Sequence, residues 1–281
     1  MKQKAFTLIE LLVVIAIIAL LLSIVMPGLR KAKQHALRLI CKTNLHNYGI
    51  AGNVYLSEND ERFPDPWQSL YDSCSAWDNS CSGVCTNPTH QSFPGESQRY
   101  CRWHNADYSL ASHPEYAGPL WSYLESEEVN LCPVFRKVAA NRGSEHPLHV
   151  AGIEIEPQFG YSQNAYLGTS FFSGVLKMSG VRSPARTFYF AEENMWVLNQ
   201  ATGYRENLSS AVLNDTSLLA RTEPKNASDY DDCFATFHSP PGGDYNEGTG
   251  NAVMLDGSVE SVQPHEQGTF KKAWPGTAMA L

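Results

Sequence analysis

The chain has 281 residues, 43 % of them hydrophobic, and a net charge of −8. That length accommodates one large domain or one domain with elaborations. Residues 1–42 carry seven Lys/Arg against one acid, while residues 43–281 carry 14 against 28, so the body is acidic and lacks the basic face of a nucleic-acid binder.

Lys2 and Lys4 precede an apolar run from Phe6 to Met26, broken only by Thr7, Glu10 and Ser23. At 1.5 Å per residue the run reaches roughly 31 Å, about the thickness of a bilayer's hydrocarbon layer. It shows no alternation, and a lone segment in lipid satisfies its backbone only as a helix. A secretory signal peptide would need a small-x-small cleavage site after the run. Met26-Pro27-Gly28 and a basic stretch stand there instead, so the expectation is a retained membrane helix. Glu10 is anomalous, because a carboxylate inside such a helix costs about 2.5–3.5 kcal/mol on insertion scales.

The letters around Glu10, Lys4-Ala5-Phe6-Thr7-Leu8-Ile9-Glu10-Leu11, resemble the processing site of type IV prepilins and type II secretion pseudopilins. The resemblance implies cleavage between Ala5 and Phe6 by a prepilin peptidase, which then methylates the new amino terminus on Phe6. The family usually has glycine before the cut; Ala5 is also small. In a helix bundle Glu10 would find its cationic partner in the Phe6 amine of a neighbouring subunit. Pro27 resembles the proline that kinks these helices. The implied layout is a leader at 1–5, a membrane and assembly helix at 6–27, an amphipathic extension at 28–58 and an exported head at 59–281. The positive-inside rule taken alone favours the opposite orientation, since Arg30, Lys31, Lys33, Arg38 and Lys42 follow the helix; the resemblance places the N-terminus inside and the head outside.

Beyond Pro27, Leu37, Cys41, Leu45, Tyr48, Gly52 and Tyr55 recur at helical steps and form one stripe, expected to pack on the head. Cys41 on that stripe reads as a core residue rather than a reactive thiol. Ser57 to Asp60, then Pro64 and Pro66, end the helix. Asn44-Leu45, Tyr55, Asn59-Asp60 and Phe63-Pro64 look like the pseudopilin-like group that carries an H-X9-DG motif near its C-terminus.

Residues 67–118 read as a loop-rich insertion with Cys74, Cys81, Cys85 and Cys101. With Cys132 and Cys233 these make six disulfide candidates, and six cysteines allow 15 pairings. Disulfides suit an exported, loop-rich segment; free or partly paired thiols are the next reading, and zinc the third, its spacing lacking paired C-x2-C knuckles. Pro119 to Leu124 suggests a short helix ending near Glu128. Val129-Asn130-Leu131-Cys132-Pro133 resembles an element of the H-X9-DG group, and the resemblance implies that Cys132 is positional there rather than part of the insertion's set. His149–Ile155, Val175–Val181 and Thr187–Ala191 are expected strands. Glu192 and Glu193 stand where the group often carries an acid.

Asn251–Leu255 and Ser258–Val262 flank Asp256-Gly257, a hairpin signal of the type I′ kind. Upstream, Phe237-His238 starts the group's C-terminal motif. Seventeen residues separate His238 from Asp256 where the group has nine, and Ser258 replaces the usual His. Asp229, Asp231, Asp232, Asp244, Glu247 and Asp256 supply oxygen ligands suited to calcium, without EF-hand spacing; solvated loop acids are the simpler reading, and no other cofactor is expected. No G-x-S-x-G, P-loop, H-E-x-x-H or complete G-x-G-x-x-G motif is present, so no catalytic residues are assigned.

The expected fold is α+β and pilin-like: a long kinked N-terminal helix packed on an antiparallel sheet, with a loop-rich insertion. The expected role is a structural subunit, single-pass in the inner membrane, that joins a type IV pilus or a type II secretion pseudopilus. The implied partners are the prepilin peptidase/N-methyltransferase, other pilin-like subunits, an inner-membrane assembly platform and membrane lipid. The alternative is a tethered extracytoplasmic module binding calcium, glycan or a secreted substrate.

Overall fold

The computed structural model describes residues 8–66, 68–69, 118–124, 126–142, 159–169, 174–194, 217–219, 232–245, 247–263 and 272–273. Ala5, Phe6, Asp229, Asp231, the expected strand at 149–155, and nearly all of the insertion with its four cysteines lie outside these residues. The chain forms two compact units, Met1–Leu39 and Ile40–Leu281. Helix α1, Leu8–Glu58, runs through both.

In the first unit, α1 is long and apolar enough to cross a membrane. Its large apolar side chains from Leu8 to Met26 are 46–78 % exposed, as expected for a helix whose solvent is lipid or other helices. Glu10 sits in the first turn. Pro27 lies inside the helix and has no N–H to give the carbonyl of Ser23.

In the second unit the character of α1 changes. Cys41, Asn44, Leu45, Tyr48, Gly49, Ala51, Gly52 and Leu56 are buried along one face, while Ile50 and Val54 remain exposed. The helix ends in a Schellman arrangement. The Glu61 N–H donates to the Leu56 carbonyl at 2.9 Å, and Asp60 takes the left-handed position (φ 53°) that usually falls to glycine.

The buried face rests on a five-stranded sheet ordered β3-β1-β2-β4-β5. The strands are β1 Ser162–Asn164, β2 Phe188–Ala191, β3 Ser217–Leu218, β4 Gly250–Met254 and β5 Val259–Val262. Two glycines permit the close approach. A Cβ on Gly49 would lie 2.7 Å from Val253 Cγ2, and one on Gly52 would lie 2.2 Å from Tyr189 Cε1. Further ties run from Tyr48 Oη to Asn130 Oδ1 (2.6 Å), from Asn44 Nδ2 to the Glu128 carbonyl (3.2 Å) and from Tyr123 Oη to Glu58 Oε2 (2.6 Å).

Aromatic residues fill the layer between helix and sheet. Tyr48 packs edge-on to Phe190 at 5.3 Å, Phe63 on Tyr189 at 5.5 Å, and Tyr189 stacks on Phe190 at 4.3 Å. Adjacent residues on a regular strand point to opposite faces. Here the register of β2 against β4 slips between Phe188 and Phe190, a β-bulge. The bulge puts Tyr189 and Phe190 into the helix-side core, while Phe188 and Ala191 join the core on the other face. Every residue after it is therefore turned over relative to simple alternation.

The architecture is α+β, as the sequence implies. The sheet is mixed rather than antiparallel, because β3 pairs parallel to β1 at the edge; β3 is reached through the long connection after Asn194, which frees its direction from hairpin geometry. Val175–Val181 is not a strand. Val175 and Lys177 form isolated bridges to Leu167 and Arg62, two different partners that share no ladder, and Met178–Gly180 forms a 3₁₀ turn. The helix expected at 119–128 is two single turns, α2 Trp121–Leu124 and α3 Glu127–Asn130. A longer helix, α4 Pro133–Arg142, follows with Pro133 as its first residue and Phe135, Val138 and Ala139 buried. The β4–β5 hairpin turns through three residues. Gly257 N–H donates to the Met254 carbonyl (2.9 Å) and Met254 N–H to the Ser258 carbonyl (2.8 Å). Only Gly257 of the Asp256-Gly257 pair has positive φ (87°), so the turn is a type I turn with a G1 bulge and not the expected I′.

Candidate functional site

Four chemistry-bearing side chains meet beneath α1. Cys41 comes from α1, Cys132 from the residue before α4, Glu192 from the end of β2 and His238 from the segment that bridges to Thr249. Each is at most 2 % exposed. Cys41 and Cys132 form a disulfide, with Cα atoms 4.9 Å apart and 91 residues between them in sequence.

Local backbone fixes each contributor. The Cys132 carbonyl accepts from Arg136 N–H (2.9 Å) and so opens α4. His238 exchanges two backbone hydrogen bonds with Thr249, each 2.9 Å. The bulge in β2 aims Glu192 toward the helix-side core. On a regular strand Glu192 would share a face with Phe188 and point away from Cys132.

The polar geometry closes on His238 Nε2. It lies 2.8 Å from Glu192 Oε1 and 3.6 Å from Cys132 Sγ. The other oxygen, Glu192 Oε2, accepts from the Asn251 backbone N–H (2.8 Å) and from Asn251 Nδ2 (2.9 Å). A buried carboxylate needs such partners, since an unsatisfied one is strongly unfavourable. Tyr161 Oη, nearby in the same core, donates to the Cys41 carbonyl at 3.3 Å. Burial first, then the charge of Glu192, pushes the Tyr161 hydroxyl well above its usual range, so it stays a donor.

Sulfur, imidazole nitrogen and carboxylate oxygen from the four residues all lie within 4.8 Å of one another. Among the described residues this is the group suited to a metal ion. Of the acids named for calcium, the four among the described residues lie outside this group. Asp232 is buried, its Oδ2 accepting from the Leu219 N–H at 2.7 Å. Asp244 and Glu247 are exposed in the lengthened loop. Asp256 Oδ1 accepts from Ser258 N–H (2.9 Å) and Oγ (2.6 Å), and those bonds lower its carboxyl below the ordinary value.

Cys132 is thus bonded to Cys41, which the stripe reading treated as packing alone. Cys233 is buried in the helix-side core. Burial of Cys41 followed from its place on the stripe, but its bond to Cys132 left no local signal, because it joins elements 91 residues apart in sequence. Glu192 as the partner of His238 left no such signal, because its direction depends on the bulge.

Residues 1–26 match the family described as the prokaryotic N-terminal methylation motif. The chain carries a prepilin-type N-terminus. That supports a pilin-like, prepilin-processed subunit, and with the long apolar helix it fits a single-pass membrane-anchored protein. The prepilin-type motif takes in Ala5, Phe6 and Glu10, and stops one residue short of Pro27. No curated protein matches the chain, and no solved structure does.

Proposed function

We propose that this chain is a structural subunit of a type IV pilus or a type II secretion pseudopilus and not an enzyme. The observation that carries this reading is the methylation motif over 1–26 leading into a helix whose apolar side chains are exposed from Leu8 to Met26. Cleavage falls between Ala5 and Phe6, and Phe6 is N-methylated by the prepilin peptidase. The subunit waits in the inner membrane with its head exported, and an inner-membrane platform drives its assembly. In the filament the exposed apolar face trades lipid for neighbouring helices, and Glu10 meets the Phe6 amine of an adjacent subunit, so that neither charge is left alone in an apolar core. An oxidising, extracytoplasmic location of the head agrees with the disulfide between Cys41 and Cys132.

Glu10→Ala tests the assembly step. The variant is expected to be cut by a co-expressed prepilin peptidase yet to be lost from sheared filament fractions, with at least about a tenfold drop, since removing one member of a desolvated charge pair costs several kcal/mol. Incorporation equal to the parent chain contradicts the role given to Glu10.

A further inference from the structure

We propose that Cys41, Cys132, His238 and Glu192 form a binding site for a zinc-class divalent cation when the two cysteines are thiols. The site is independent of the assembly role and uses none of the N-terminal residues.

The donor set is the first argument. Two thiolates, one imidazole and one carboxylate are ligands that a borderline-soft cation such as zinc takes in tetrahedral sites. They come from four separate stretches of chain, and their ligand atoms lie within 4.8 Å of one another. All four side chains are buried, and a cation held there would be shielded from water.

The second argument is the outer arrangement. Glu192 Oε2 is held by the backbone N–H and Nδ2 of Asn251, which leaves Oε1 directed at the centre of the group beside His238 Nε2. His238 Nε2 in turn faces Cys132 Sγ. A carboxylate fixed through its far oxygen is the orientation that a ligating carboxylate receives from its surroundings.

The chemistry balances without an added reductant, because the chain is synthesised with both cysteines as thiols. On binding, each thiol loses its proton to solvent and forms a sulfur–metal bond, and the proton shared by His238 Nε2 and Glu192 Oε1 is released to solvent, so that Nε2 and Oε1 are both free to ligate. Disulfide formation removes the site. The two thiolates pass two electrons to an external disulfide, which takes two protons from solvent to become a dithiol, and the two sulfurs bond to each other; the cation, deprived of its thiolates, leaves. The cation-bound and disulfide-bonded forms are therefore alternative clasps on the same joint between α1 and the start of α4.

Cobalt(II) is the probe, since thiolate ligation gives it a charge-transfer band and tetrahedral ligation an intense visible band. The full chain in detergent, reduced with a phosphine and kept from oxygen, is expected to bind one cobalt with both bands, while the oxidised chain gives neither. Both bands persist when Cys74, Cys81, Cys85 and Cys101 are replaced by Ser, and when Cys233 is. Cys132→Ser loses the charge-transfer intensity of one sulfur. Glu192→Gln, which keeps the size of the side chain and one acceptor oxygen for Asn251, weakens binding by about tenfold or more. The proposal is overturned if the reduced chain shows no thiolate band, if the band follows the insertion cysteines or Cys233, or if Glu192→Gln and His238→Gln both bind cobalt as tightly as the parent.

Discussion

Reducing the Cys41–Cys132 bond should lower the stability of the head by several kcal/mol. The bond closes a loop with a sequence separation of 91. In the chain-entropy account a closed loop of that size removes about 15.6 cal/mol/K from the unfolded chain, or about 4.6 kcal/mol at 25 °C. For a body of this size each kcal/mol moves the melting temperature by about 2–4 °C, so reduction should lower it by about 9–18 °C. The assay is thermal unfolding of the full chain in detergent, followed by near-ultraviolet circular dichroism of the Tyr48, Tyr161 and Tyr189 environment, with and without a phosphine reductant. A chelator is present in both arms, since a cation bound to the thiols would restore part of the loss. The comparison is made with Cys74, Cys81, Cys85 and Cys101 replaced by Ser, so that reduction acts on the one pair. A shift under about 2 °C would refute the reasoning, because the bond would then add little to a joint already held by packing.

Two further perturbations test the packing and the hairpin. Gly52→Ala gains about 1 kcal/mol of helix propensity, but its Cβ would sit 2.2 Å from a Tyr189 ring pinned by Phe63 and Phe190. The net effect is a lower melting temperature, and an unchanged or raised one contradicts the close approach of helix and sheet. Ser258→Ala removes the first cause of the depressed Asp256 carboxyl while leaving the weaker backbone bond. A depressed carboxyl contributes stability at neutral pH that is lost as pH falls from about 5 through its folded-state value. The variant should thus be less stable than the parent at pH 7, and the difference should shrink in acid. Carboxyl titration by NMR checks it: Asp256 moves up toward its ordinary value in the variant, and an unmoved titration sinks the assignment.

The parts of this fold that announce themselves in sequence are those governed by local rules. The apolar run, the stripe through Leu45, Tyr48 and Gly52, and the break after Ser57 follow from helical spacing and turn residues, and α1 ends at Glu58. Thr187–Ala191 follows from its aromatic run, and the strands on either side of Asp256-Gly257 follow from that turn signal; the strands are Phe188–Ala191, Gly250–Met254 and Val259–Val262. What did not announce itself depends on distant partners. The slip between Phe188 and Phe190 exists only against β4, yet it decides that Glu192 meets His238. The parallel pairing of β3 is set by two residues, Ser217 and Leu218, too few to carry a pattern. Cys41 was legible as buried, but its bond to Cys132 requires that α1 and the start of α4 already be placed. Helix α4 belongs with the locally governed parts, since Pro133 followed by Phe135, Val138 and Ala139 is a helical start with a helical spacing.

The central claim is that the first residues are a processing signal and not a plain anchor. Intact mass and N-terminal peptide mass of the full chain, co-expressed with a prepilin peptidase, address it directly. The account predicts loss of Met1 to Ala5 and one added methyl group on Phe6. An unprocessed N-terminus beginning at Met1, or cleavage at any other bond, would contradict it.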